Sequence, residues 1–168
     1  MNCFGQRPIL LKGHTRPLTH VKYNRESDLI FTTAKDHSPC VWYASNGERL
    51  GTFDGHNGSV WCVDVSFHTT RLLTGASDTH AKLWDVQTGK ELFTFPHKSV
   101  VRSVAFSIGE KMMLSVQDQS FSQQPTIFIY NLADDINERT CVLLFLFLRM
   151  VSYCSRDRSV VLVSAELF

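Results

Sequence analysis

The sequence has no excess of either charge. Its 168 residues carry 17 lysines and arginines against 16 aspartates and glutamates, a formal net charge of +1. The basic residues are scattered, and the lack of a basic block argues against direct nucleic-acid binding. Long apolar runs are also missing. The longest, Val142–Leu148, is stopped by Arg149. Such a run reaches about 10 Å as a helix, far short of a hydrocarbon core of roughly 30 Å, so no membrane span is expected. The opening MNCFGQRP lacks the apolar stretch of a secretory signal. Cys3, Cys40, Cys62, Cys141 and Cys154 form no CxxC pair, and reduced thiols in a cytoplasmic protein are the expectation. The seven histidines show no HxxxH spacing, so neither a metal site nor a cofactor is expected.

What is present is a repeat. Residues 13–54 align without a gap on residues 55–96 after a shift of 42 positions. The shared residues include Gly13/Gly55, His14/His56, Thr32/Thr74, Ala34/Ala76, Asp36/Asp78, Trp42/Trp84, Gly47/Gly89 and Phe53/Phe95. A period of about 40–45 residues that opens on Gly-His and closes on a Trp strand is the WD40 β-propeller signature. The expected fold is therefore all-β, with one four-stranded antiparallel blade per repeat.

The spacing predicts strands over Leu18–Tyr23, Leu29–Ala34, Cys40–Tyr43 and Arg49–Phe53 in blade 1 (13–54). In blade 2 (55–95) it predicts Val60–Phe67, Arg71–Gly75, Ala81–Asp85 and Glu91–Phe95. Asn46-Gly47 and Thr88-Gly89 are hairpin dipeptides. A weaker blade 3 (96–138) puts strands at Val100–Phe106, Met112–Val116 and Thr126–Leu132, with Pro96 in place of Gly and Tyr130 in place of Trp. Residues 8–12 are expected to supply the closing strand of a last blade. Residues 139–168 depart from the pattern as an apolar tail. At this period the chain accounts for about three blades.

Each strong repeat carries a polar set: His14, Thr32, Asp36 and Trp42, then His56, Thr74, Asp78 and Trp84. The expected arrangement has Asp accepting from the His ring and the Thr hydroxyl linking His to the indole N–H. A Thr–His–Asp set also invites a catalytic reading. Two copies at identical spacing favour a structural role, so no catalytic residue and no enzyme activity is expected. The degenerate third set is His97, Ser115, Asp118 and Tyr130.

Partner-binding residues are expected on the narrow face of the propeller. One recurring position lies two residues before the inner-strand valine: Thr19, Trp61 and Arg102. The other precedes the turn Asp: Lys35, Ser77 and Gln117. Trp and Arg are the types enriched at binding hot spots. Trp61 reads either as a partner contact or as packing between blades, and Lys35 and Arg102 either as contacts or as solvated charges.

The runs PILLKGH, LTHVKYNRESDLIFTTAKD, VWYASNGERLGTFDGHNGSVWCVDV and LLTGASDTHAKLWDVQTGK closely resemble the family of WD-repeat I subunits of eukaryotic translation initiation factor three. The resemblance covers roughly Pro8–Leu132. It implies a seven-bladed, non-catalytic scaffold that promotes initiation on the small ribosomal subunit. It also implies docking of the B and G subunits of the same factor, the first of them large, RRM-bearing and bound through its C-terminal region. Contact with the small ribosomal subunit is implied only indirectly, and no direct contact with nucleic acid or membrane. A receptor-kinase-associated WD signalling adaptor shares GHTRP and parts of blade 2, and stands as the alternative.

Overall fold

The computed structural model describes residues 8–120 and 124–132. The strands form because β-branched, aromatic and leucine side chains alternate with turn residues, and the turns between them are held by local bonds. The first hairpin of each repeat places a non-glycine residue in the left-handed region: Ser27 (φ 60°), Thr69 (φ 59°) and Glu110 (φ 57°). Nearby side chains hold these turns. Asn24 Oδ1 accepts from Leu29 N at 3.2 Å, and Ser66 Oγ accepts from Thr70 N and Arg71 N at 3.2 and 3.0 Å. Gly47 (φ 73°) supplies the left-handed residue of the turn that Asn46-Gly47 predicts.

Three antiparallel sheets result. The first is β1(Leu18–Tyr23), β2(Leu29–Ala34), β3(Cys40–Tyr43) and β4(Arg49–Thr52), in that spatial order. The second repeats it with β5(Val60–Val65), β6(Arg71–Ala76), β7(His80–Asp85) and β8(Glu91–Pro96). The third holds β9(Val101–Phe106), β10(Met112–Gln117) and β11(Thr126–Asn131). β1, β2 and β3 fall on the expected residues, and each of the other strands differs from expectation at one end by one or two residues. Among the described residues there is no helix, and the sheets do not close into a ring.

Neighbouring sheets bury each other's apolar faces. Phe31, Val41 and Phe53 of the first sheet pack with Val63, Leu72 and Trp84 of the second. Leu73, Leu83 and Phe95 of the second pack with Val101, Val104 and Met113 of the third. The side chains of β1 that face away from this packing, Leu18, Val21 and Tyr23, are exposed. Residues 8–12, expected as a closing strand, form no strand. Ile9 instead lies against the β3–β4 turn, where a Cβ on Gly47 would meet Ile9 Cγ2 at 2.5 Å. The expected tail and residues 133–138 of the expected third blade lie outside the described residues.

One buried carboxylate ties all three sheets together. Asp64 on β5 pairs with Lys22 of β1 through Oδ1 and accepts from Phe106 N of β9 through Oδ2 at 2.7 Å. Its own Oδ1 also accepts from Val65 N at 2.9 Å. Asp64→Ala would leave the Phe106 N–H without an acceptor between two sheets. The expected cost is about 1–3 kcal/mol, seen as a lower urea midpoint at unchanged slope. A midpoint equal to the parent's would show that the sheets hold together without this carboxylate.

Candidate docking site on the narrow face

The two polar sets sit at the end of the sheets where β1 and β5 begin. His56 lies in the loop leading into β5, Thr74 on β6, Asp78 in the β6–β7 turn and Trp84 on β7. His56 Nδ1–H donates to Asp78 Oδ2 at 2.7 Å, and Asp78 also accepts from Asn57 N at 3.0 Å. Thr74 Oγ–H donates to His56 Nε2 at 2.7 Å, and Trp84 Nε1–H donates to Thr74 Oγ1 at 2.9 Å. An ionised carboxylate only accepts, which fixes the ring proton on Nδ1 and leaves Nε2 free to accept. His14, Thr32, Asp36 and Trp42 repeat the chain in the first sheet at 2.8, 2.7 and 2.7 Å. Gly58 lets the loop before β5 press on the Asp78 turn. A Cβ there would lie 2.6 Å from Asp78 N.

This geometry favours a structural task over nucleophilic chemistry. Thr74 is fully buried, and its hydroxyl is committed to both His56 and Trp84. Burial opposes ionisation of Asp36 and Asp78, but hydrogen bonds from His14 and Thr15 N, and from His56 and Asn57 N, outweigh it. Both carboxyls are therefore held below their ordinary value.

The third set is built differently. Ser115 Oγ–H donates to His97 Nε2 at 2.7 Å, and the Tyr130 hydroxyl lies 3.5 Å from the same nitrogen. His97 Nδ1–H donates to Phe95 O at 2.9 Å and not to a carboxylate. Asp118, expected in this set, pairs with Arg102, whose Nε–H donates to Asp118 Oδ2 at 2.8 Å. The physical reason is that Gln117, buried at the end of β10, occupies the carboxylate's place. Its Oε1 accepts from Lys98 N at 3.0 Å, as Asp78 accepts from Asn57 N. Gln117 is thus buried and engaged, not presented to solvent.

Of the expected contact residues, Lys35 and Arg102 flank Trp61, Thr19 bonds the residue before it, and Ser77 lies by Gly58 and Ser59. Each inner strand starts with a register shift against its neighbour: between Leu18 and His20, between Val60 and Cys62, and in the third sheet opposite Val116/Gln117. Thr19, Trp61 and Arg102 are the extra residues at these bulges, and a bulge re-aims its side chain. Thr19 donates to Val60 O at 2.5 Å, next to Trp61. The Lys35 ammonium lies 5.4 Å from the Trp61 ring centroid and the Arg102 guanidinium 4.4 Å, both within cation–π range. Ser77 packs beside Gly58, where a Cβ would meet its Oγ at 2.6 Å. The Trp61 Nε1–H is buried and has no acceptor among the described residues. Arg102 holds Asp118 below its ordinary carboxyl value, against partial burial. The sequence reading missed Asp64 and the role of Gln117.

The described cysteines, Cys40 and Cys62, are buried free thiols. Burial pushes Cys62 up to about 12, which makes it a poor nucleophile and metal ligand. Among the described residues no group of three His, Cys, Asp or Glu is placed to hold a metal, and no helix is long and apolar enough to cross a membrane.

Trp84→Ala is expected to cost about 3–5 kcal/mol. Asp78→Ala, which strands the His56 ring, is expected to cost about 1–3 kcal/mol. Parental denaturant midpoints in both variants would show that this chain of bonds is dispensable. A pH dependence follows from the same carboxyls. The folded chain keeps Asp36 and Asp78 ionised to lower pH than the unfolded chain does, so the unfolded chain takes up protons first. The resulting stability is complete above about pH 5 and is lost as pH falls through the depressed folded values. Asp36→Asn combined with Asp78→Asn should flatten that acid loss in urea titrations. An unchanged slope would assign the loss to other groups.

Comparison with known proteins gives a consistent answer. The family model described as "WD domain, G-beta repeat" matches residues 5–43 and 47–85. Curated relatives include eukaryotic translation initiation factor 3 subunit I of Culex quinquefasciatus, 52% identical over 123 residues, or 73% of this chain and 38% of that protein. The subunit I of Taeniopygia guttata is 46% identical over 128 residues, or 76% of this chain and 39% of that protein. The chain thus spans somewhat over a third of the length of the curated relatives it matches. Among solved structures, one titled "Structure of U3-55K" superposes with a TM-score of 0.69 at 26% identity, covering 80% of this chain and 41% of that one. The "Crystal structure of RRP9 WD40 repeats" gives 0.68 at 26%, over 80% and 40% of the two chains. The repeat motif, the blade geometry and these relatives place the chain in the WD-repeat family, as a relative of the subunit I proteins of eukaryotic translation initiation factor 3.

Proposed function

We propose that the chain serves as a non-catalytic WD-repeat scaffold of the translation initiation factor 3 complex, promoting initiation on the small ribosomal subunit through protein–protein docking. The observation that carries this reading is the 46–52% identity to subunit I proteins over 123–131 residues. The bulge residues Thr19, Trp61 and Arg102, with Lys35 and Ser77 in the turns beside them, support it from the chain itself. A partially exposed Trp flanked by two cations suits protein recognition. The proposed partners are the B and G subunits of initiation factor 3, the first through its C-terminal region, with the small ribosomal subunit reached indirectly. The proposed location is cytoplasmic, and neither nucleic acid nor membrane is proposed as a direct partner.

The test is recovery of partners from eukaryotic cell extract on the tagged full chain, identified by mass spectrometry. Initiation-factor subunits together with small-subunit ribosomal proteins are the expected result. Receptor kinases without ribosomal proteins would overturn it in favour of a signalling adaptor.

A further inference from the structure

The cluster around Trp61 is cationic, and its charge is only partly answered by the described residues. Arg16 and Lys98 stand in the loops that lead into β1 and β9, and Lys35 follows β2, so all three share one end of the sheets with Arg102. Among the described residues, none of Arg16, Lys35 and Lys98 makes an ion pair. The nearby carboxylates Asp36 and Asp78 are committed to His14 and His56. Among the described residues Arg102 alone of the four has an acidic partner, Asp118, and that pair is open to water, with side chains 45% and 40% exposed. Exposed pairs of this kind hold weakly, so an incoming carboxylate exchanges for Asp118 at little cost.

We infer that this face receives an acidic segment of a partner protein, with carboxylates held by Lys35 and Arg102 beside Trp61 and with Asp118 displaced from Arg102. The inference rests on the docking reading above and adds the chemistry of what docks. Asp118 is an internal stand-in for the partner's carboxylate, so the site is self-capped when empty. A protein segment fits better than RNA. The ring on which a base would stack is already occupied by two cations, and the overall charge of +1 gives little attraction for a phosphate backbone.

The test uses the full chain and fluorescence polarisation of a labelled decapeptide alternating Asp and Glu around a central Leu. A matched Asn/Gln peptide serves as control. Binding of the acidic peptide alone is expected, weakening with salt. Lys35→Glu should weaken it about tenfold. Asp118→Asn should tighten it about two- to fivefold, the range expected on removing an exposed competing pair. Tightening is a result that misfolding does not produce. Equal binding of both peptides, or an Asp118→Asn variant that binds no better than the parent, overturns the inference. So does a labelled oligouridylate that binds more tightly than the peptide with the same response to Lys35→Glu. The extract experiment is read separately. Initiation-factor subunits recovered alike by parent and Lys35→Glu, with no peptide binding, overturn the acidic site and leave the translation reading standing. Peptide binding with the expected variant pattern, but no initiation-factor subunits recovered, upholds the acidic site and removes the translation reading.

Discussion

Leaving a buried indole N–H without an acceptor costs free energy, and the structure is organised around how Trp42 and Trp84, at the centres of their sheets, find theirs. Each donates to a threonine on the neighbouring strand, which donates to a histidine in the loop before the inner strand, which donates to an aspartate in the next turn. The chain of bonds therefore connects a strand, a loop and a turn that are far apart in sequence. It fixes Asp36 and Asp78, and with them the adjoining Lys35 and Ser77 on the narrow face, so the apolar core and the candidate docking surface share one set of constraints. Because the Trp84 ring also packs against Phe53 of the preceding sheet at 5.9 Å, the same residue fixes the spacing between blades.

The bulges carry the second constraint. A regular inner strand would alternate its side chains strictly between the two faces of the sheet. Inserting one residue at the start of β1, β5 and β9 releases that residue from the alternation. In consequence Thr19, Trp61 and Arg102 converge across three blades, and Trp61 on the middle blade meets Lys35 of the first and Arg102 of the third. A docking surface spanning three sheets depends on their relative placement. That placement rests on packed apolar faces and on Asp64, whose two oxygens reach the blades on either side.

The strands of the first two sheets and both strong polar sets were legible in the sequence because the two repeats state them twice, and self-comparison amplifies what both copies need. Asp64 was not legible for the same reason. Its counterpart in the first repeat is Lys22, so the position looks like variation, although the two residues face each other across the blade boundary and need opposite charge. The third repeat misled through its offset. His97 stands 41 residues after His56, one fewer than the period of the first two repeats. Asp118 looked close enough in sequence to fill the carboxylate position, but backbone register decides this and sequence distance does not. β10 pairs through Gln117, and the Gln117 side chain reaches the Lys98 N–H first.

That failure of the pattern has a consequence for the surface. In the two strong blades the turn carboxylate is consumed by the histidine, and it is not left to face solvent. In the third blade the Phe95 carbonyl accepts from His97 and Gln117 caps the loop. Asp118, whose N–H bonds Val100 O as Lys35 N bonds Pro17 O and Ser77 N bonds Ser59 O, stands at the register position of Lys35 and Ser77. It turns to Arg102, and Arg102 in turn lies over Trp61. Degeneracy of the third blade thus produces an exposed ion pair at the centre of the candidate site.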